Sequence, residues 1–240
     1  MRVIVNVVKS VACIGLDLSL NGTGVALFLD DKLADWICWT DLKRIYQKDN
    51  NHFIYSKCNG RSNEITAASR MKDIMDGLSK FILSVRAKSR ACYVAIEGYA
   101  YSANFSRSAS GLHELCGCMK LFLTQQNIPF RVYDIDSIKL ASTGYGRADK
   151  EAMVIAAEKL VGMNLKQYEG AGENVADAIM LANMLKIELA LKAGTLLLVE
   201  LPERLRRVFI RVSKVVPEAF VSREFIKYSD TGRSYLNRVV

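Results

Sequence analysis

Proline is scarce in this chain, with three in 240 residues, and no Ser/Gly/Pro-rich tract interrupts it. A flexible linker is therefore not expected, and no segment has the low hydrophobicity of a disordered region. No C-x-x-C pair occurs among Cys13, Cys38, Cys58, Cys92, Cys116 and Cys118. That argues against a zinc site, and the cysteines read as buried, reduced thiols. Long apolar runs are missing too: Lys9 and Asp17 interrupt the N-terminal MRVIVNVVKSVACIGLDL before it reaches the length of a membrane span or a cleaved signal. A cytoplasmic protein with no membrane partner is expected. Internal repeats and low-complexity segments are also absent.

What is present is apolar and basic. Half of the residues are hydrophobic, which suffices for one substantial core and predicts one domain with an extension. The net charge of +8 favours a polyanionic partner, nucleic acid ahead of an acidic membrane surface. Many proteins carry such an excess without binding DNA, so the motifs must decide.

Short apolar runs at 12–18, 24–29 and 34–40, separated by Asn21-Gly22 and Asp30-Asp31-Lys32, read as a three-stranded meander. A helix is expected from about Asn63 to Val85, with Ile74, Leu78, Phe81, Ile82 and Val85 on one face. A strand CYVAIE, a helix over 107–126, a strand from Pro129 to Asp134, and helices over 150–161 and 173–192 complete the pattern. Short turns demand antiparallel pairing and helical crossovers demand parallel pairing. The expected fold is α/β: a mixed sheet of three antiparallel strands and then two parallel ones, flanked by helices, in the element order of an RNase H-like fold. Residues 1–193 form this domain. Residues 194–240 read as a basic extension whose alternating stretches suit strands, with Arg204, Arg206, Arg207, Arg211, Lys214 and Arg223 fit either for phosphate contacts or for a solvated face.

Three acids stand where acids are expensive. Strand alternation puts Asp17 on a face with Cys13 and Gly15, and Glu97 closes the apolar run Tyr93-Val94-Ala95-Ile96. From Val175 to Leu185 only Asp177 and Asn183 are polar. An isolated buried carboxylate costs several kcal/mol unless it is paired or binds a cation. Singly, each acid has an ordinary explanation: a cap on the Asn21-Gly22 turn for Asp17, a loop start for Glu97, an arginine partner for Asp177. Two strand acids and one late helical acid together point instead to a hard divalent cation, magnesium or manganese.

The strings GLDLSLNGTGVAL, AIEGYAY, STGYGRADKEAM and NVADAIMLA resemble, in order and spacing, the sequence blocks of the RuvC resolvase family, over residues 12–192. The resemblance implies that Asp17, Glu97 and Asp177 bind metal, and that the segment after Glu97 contacts the junction. Lys139 and Lys150 are similar to the lysine pair that the family places near the scissile phosphate, with Gly144 and Gly146 resembling its glycine turn. Many relatives follow the first aspartate with Pro-Gly, whereas here Leu18 and Ser19 follow. Three residues before Asp177, where the family commonly has Asp or His, this chain has Asn174, whose amide oxygen can bind a metal but brings no charge. Glu173, at i−4 from Asp177, is the alternative for that role.

The resemblance further implies two metal ions, about 4 Å apart, activating a water and stabilising the departing 3′ oxygen. Lys150 and Lys139 would offset charge on the phosphate, and products would carry 5′-phosphate ends. DNA contacts are expected from Tyr99, Tyr101 and Phe105, which are suited to stacking on opened bases, and from Lys139, Arg147 and Lys150. A four-way junction has twofold symmetry, so a homodimer is expected, with the face of Leu112, Leu115, Met119 and Phe122 as its candidate interface and core packing as the commoner fate of such residues. Two other readings use the same residues: a ribonuclease H acting on hybrids, and a junction-binding protein weakened at Asn174.

Overall fold

A computed structural model describes residues 10–40, 53–56, 64–98, 107–168, 170–214, 224–228 and 234–238. Tyr99, Tyr101, Phe105, Cys58 and Arg223 lie outside the described residues. The first three strands are β1 (Val11–Asp17), β2 (Gly22–Leu29) and β3 (Lys32–Thr40), and each pairs antiparallel with the next. A short strand β4 (Phe53–Ser56) adds parallel to β3 at the edge. After helix α1 (Glu64–Lys88), β5 (Ala91–Gly98) pairs parallel with β1. Helix α2 (Arg107–Gln125) then leads to β6 (Phe130–Asp134), parallel to β5. The sheet order is β4-β3-β2-β1-β5-β6. The expected mixed sheet is therefore present, widened by β4, a strand too short for periodicity to announce.

Helix α3 (Ile135–Thr143) follows β6 directly, then α4 (Lys150–Val161) and α5 (Ala171–Ala193). The helix α3 was not expected. Its start was nonetheless written in the sequence, because Asp134 is an N-cap whose side chain accepts from the Ser137 amide at 2.8 Å. Beyond α5 the expectation of strands needs correction at residues 203–214, which form helix α6 (Glu203–Lys214). Its Leu205, Val208, Phe209 and Val212 recur at helical spacing, and Val208 and Phe209 are fully buried. Strands do follow, as the antiparallel pair β7 (Glu224–Tyr228) and β8 (Ser234–Arg238). No described helix is long and apolar enough to cross a membrane.

Both faces of the sheet are covered, and strand alternation decides which residues face which layer. Ile14, Leu16 and Ile96 face α1 and α2, meeting Ile74, Leu78, Leu115 and Met119. Leu115 and Met119 are completely buried there, with Leu112 and Phe122 packed against them. The face of α2 offered as a dimer interface is thus consumed by the chain's own core. On the other side, Cys13, Ala26 and Ala95 face α5 through Val175, Ala178 and Ile179. Cys13, Cys38, Cys92 and Cys116 are buried free thiols as expected, but Cys118 is exposed.

Two glycines let α5 lie unusually close to the sheet. A Cβ on Gly15 would sit 2.0 Å from the Ala178 carbonyl oxygen, and one on Gly24 would sit 2.0 Å from that of Asn174. Close backbone approach of this kind is a place where only glycine fits. The helix carrying Asp177 is thereby pressed against the strand carrying Asp17.

Candidate active site

Parallel pairing of Leu16 with Ile96 carries Asp17 level with Glu97, at the same end of the sheet. The α5 contact at Gly15 brings Asp177, the neighbour of Ala178, over that end. Asp17 does not serve the turn that follows it. Ser19 and Thr23 close that turn, with the Ser19 amide donating to Thr23 Oγ1 at 3.1 Å and Thr23 Oγ1 donating to the Ser19 carbonyl at 2.6 Å.

The three acids feel one another. Burial first, then the charges of Glu97 and Asp177, push the Asp17 carboxyl well above its usual range, and it shares a hydrogen bond with Glu97. Burial also raises Glu97, while its bond to Asp17 and the charge of Lys139 pull the other way. Burial thus shifts both carboxyls towards the protonated form. Asp177 is raised to about 7, by burial and then by Glu97, against the opposing charges of Lys150 and Lys139. Carboxylates that disfavour one another's charge in a half-buried spot are what a divalent cation would relieve. Among the described residues no three His, Cys, Asp or Glu side chains are already arranged to hold an ion. The donor chemistry fits a hard cation, whose binding would favour the ionised acids.

The cations come from the two helices after β6. Lys139 is half-buried on α3 and acts electrostatically on Glu97 and Asp177. Lys150 opens α4, and its Nζ donates to Glu173 Oε2 at 2.8 Å. That bond, with the charges of Glu173, Asp177 and Asp17, raises the Lys150 pKa against partial burial. Between the helices, Gly144 caps α3 at φ 86, a left-handed conformation that glycine adopts without penalty. Arg147 follows in the same turn and is exposed.

Glu173 and Asn174 have different surroundings. Glu173 is taken up by Lys150. The Asn174 amide donates to the Gly170 carbonyl at 3.3 Å, and its nitrogen stands 4.0 Å from Cys38 Sγ. The sequence reading missed the link between Asp134 and Arg211, whose Nη2 donates to Asp134 Oδ1 at 2.9 Å. Asp134 pairs with Gly98, the residue after Glu97, so this contact lies at the acid-bearing edge.

Comparison with known proteins gives a consistent set of matches. A family model described as crossover junction endodeoxyribonuclease RuvC matches residues 49–184, more than half of the chain. That stretch includes Glu97, Lys139, Lys150, Glu173, Asn174 and Asp177 but begins after Asp17. The crossover junction endodeoxyribonuclease RuvC of Anaeromyxobacter sp. (strain Fw109-5) is 33% identical over 133 residues, 55% of this chain and 58% of that protein. The chain spans about half the length of the curated relatives it matches. Among solved structures, Thermus thermophilus RuvC aligns with a TM-score of 0.47 at 19% identity, covering 77% of this chain and 96% of that one. The same protein in complex with a Holliday junction substrate aligns at 0.48 and 16% identity, covering 78% and 97%.

Proposed function

Because the chain belongs to the RuvC family of crossover junction endodeoxyribonucleases, we propose that it is a structure-selective DNA endonuclease that resolves four-way junctions by metal-dependent phosphodiester hydrolysis. The observation that carries this reading is the meeting of Asp17, Glu97 and Asp177 at one end of the sheet, with Lys139 and Lys150 acting on the same acids.

Asp17, Glu97 and Asp177 would hold the cation, with Glu173 or Asn174 supplying a further oxygen, and magnesium or manganese suits such a set. When bound, the metal supplies an activated water and charge stabilisation for in-line displacement at phosphorus; two ions per site is the expected number. Lys139 and Lys150 offset charge that builds on the phosphate oxygens. Lys150, held by Glu173 at 2.8 Å, is kept where a phosphate entering over the acids would meet it. Arg147 in the α3–α4 turn extends the cationic rim towards the DNA backbone, and Tyr99, Tyr101 and Phe105 supply stacking surfaces for opened bases. The working form is a homodimer, because paired incisions across a twofold junction need two sites. Residues 1–193 carry the chemistry, and the segment from 194 onward is an addition to it.

The test is cleavage of a synthetic four-way junction with magnesium or manganese, beside an RNA–DNA hybrid of similar length. Symmetric nicks with 5′-phosphate ends on the junction, an intact hybrid, and loss of cutting with retained binding in Asp17→Asn are expected. Preference for the hybrid would overturn the assignment in favour of a ribonuclease H.

A further inference from the structure

Helix α6 lies outside the stretch that matches the family, and its two faces differ sharply. Leu205, Val208, Phe209 and Val212 turn inward, and Val208 and Val212 join the core under α5. Arg204, Arg207 and Arg211 are exposed and stand at spacings of three and four, one stripe along the outer face. Arg206 does not belong to the stripe: it is half-buried, with its Nε unpartnered among the described residues.

This stripe follows α3 from end to end. Arg211 donates to Asp134, the N-cap of α3. Arg204 reaches the other end, where its Nη1 lies 3.7 Å from the position a Cβ would take on Gly144. The helix between these points carries Lys139, and the turn after Gly144 carries Tyr145, 62% exposed, and Arg147. Basic side chains thus recur from the α3–α4 turn to the strand end beside Glu97, with Asp134 and the exposed Asp136 as the acids among them.

Like charges in register repel, so an exposed arginine stripe is costly unless something answers it. Glu203 pairs with Arg207 and Asp134 with Arg211, both at exposed positions where ion pairs are weak and readily exchanged. Arg204 has no ion pair among the described residues. From Arg204 to Arg211 the helix rises about 10 Å, comparable to about three base-pair steps along a duplex axis. We propose that the Arg204/Arg207/Arg211 stripe of α6 is a second DNA-contact surface, which takes the sugar-phosphate backbone of a duplex arm leaving the active site. It rests on the reading of the chain as a branched-DNA enzyme. An acidic protein segment is the competing occupant, disfavoured because the stripe ends at Asp134, beside the strand end that carries Glu97.

The test uses the full chain carrying Asp17→Asn, so that binding is read without cutting. Anisotropy titrations over a range of salt compare a junction with long arms and one with arms trimmed to a half-turn. In Arg204→Gln/Arg207→Gln, the long-arm Kd should rise about tenfold and the salt slope fall by about two, the loss of two phosphate contacts. The trimmed junction should be bound as before, the melting temperature should not move, and the double lysine variant should keep both affinity and slope. Unchanged long-arm binding overturns the proposal, and so does an equal loss on both junctions, which would put the arginines at the crossover. A parent chain that binds neither junction removes the branched-DNA reading itself, and with it this surface.

Discussion

Arg131 of β6 is buried against Glu188 of α5, with its Nε donating to Glu188 Oε2 at 3.1 Å. The same oxygen accepts from the Tyr133 hydroxyl at 2.5 Å, and Arg131 also donates to the Val212 carbonyl of α6 at 3.2 Å. Burial and the Glu188 charge push the Tyr133 phenol well above its usual pKa, so it remains a donor. One acid thereby ties the sheet, α5 and, through Arg131, α6 together. Removing it strands a buried guanidinium, which costs about 3–5 kcal/mol. Glu188→Ala should lower unfolding stability by that order in a denaturant titration, and a loss below about 1 kcal/mol would show that the network contributes little.

Gly15→Ala should be poorly tolerated despite its small volume. The added methyl would meet the Ala178 carbonyl at 2.0 Å, so α5 must move away from β1. The expected loss is about 1–3 kcal/mol, with manganese affinity falling as Asp177 is displaced from Asp17. Stability and manganese titrations on the same preparation check this, and normal metal affinity would mean that the helix shift does not reach the acids.

Raised carboxyl pKa values give the metal-free protein a definite pH response. Asp17, Glu97 and Asp177 hold protons in the folded state at pH values where the unfolded chain has lost them. Their contribution to stability is full below the ordinary carboxylate range and is lost as pH rises towards about 7 for Asp177. Metal binding works in the opposite sense, because it needs the ionised acids. The rise in melting temperature caused by manganese should therefore be larger at pH 8 than at pH 6. Equal shifts at both values would argue that these acids do not hold the ion.

The Lys150–Glu173 pair separates two roles for Glu173. Lys150→Ala should cut cleavage about a hundredfold with junction binding kept, as expected for a group that answers charge developing in the transition state. Glu173→Gln should slow cleavage severalfold while the manganese concentration for half-maximal rate stays the same. A rise in that concentration would assign Glu173 to the ion rather than to Lys150.

Much of this was legible in the sequence because hydrophobic period and turn chemistry are local. Alternation in ACIGLDL correctly put Asp17 on the face with Cys13 and Gly15, and the apolar run around Asp177 correctly announced a covered helix. The α3 start was local as well, in the cap at Asp134, but nine residues leave a weak periodic signal. The stretch VFIRV resembles a strand, and only the spacing of Leu205, Val208, Phe209 and Val212, together with burial against α5, makes it helical. The face of α2 was left between a dimer interface and core packing, because an apolar stripe says that something covers it, not what; Leu115 and Met119 lie in the core. The depth of α5 over Gly15 and Gly24, and the grip of Arg211 on Asp134, are long-range contacts with no sequence pattern of their own.

Most of the six-stranded sheet and the helices that cover it separate Asp17 from Asp177 along the chain. A ribosome adding about 5–20 residues per second needs on the order of ten seconds to cover that distance, and the central strand emerges long before α5. Until then the glycine-floored side of β1 has no lid and the acids no third member. The acid cluster of a newborn copy is thus incomplete until its last long core helix closes over the sheet.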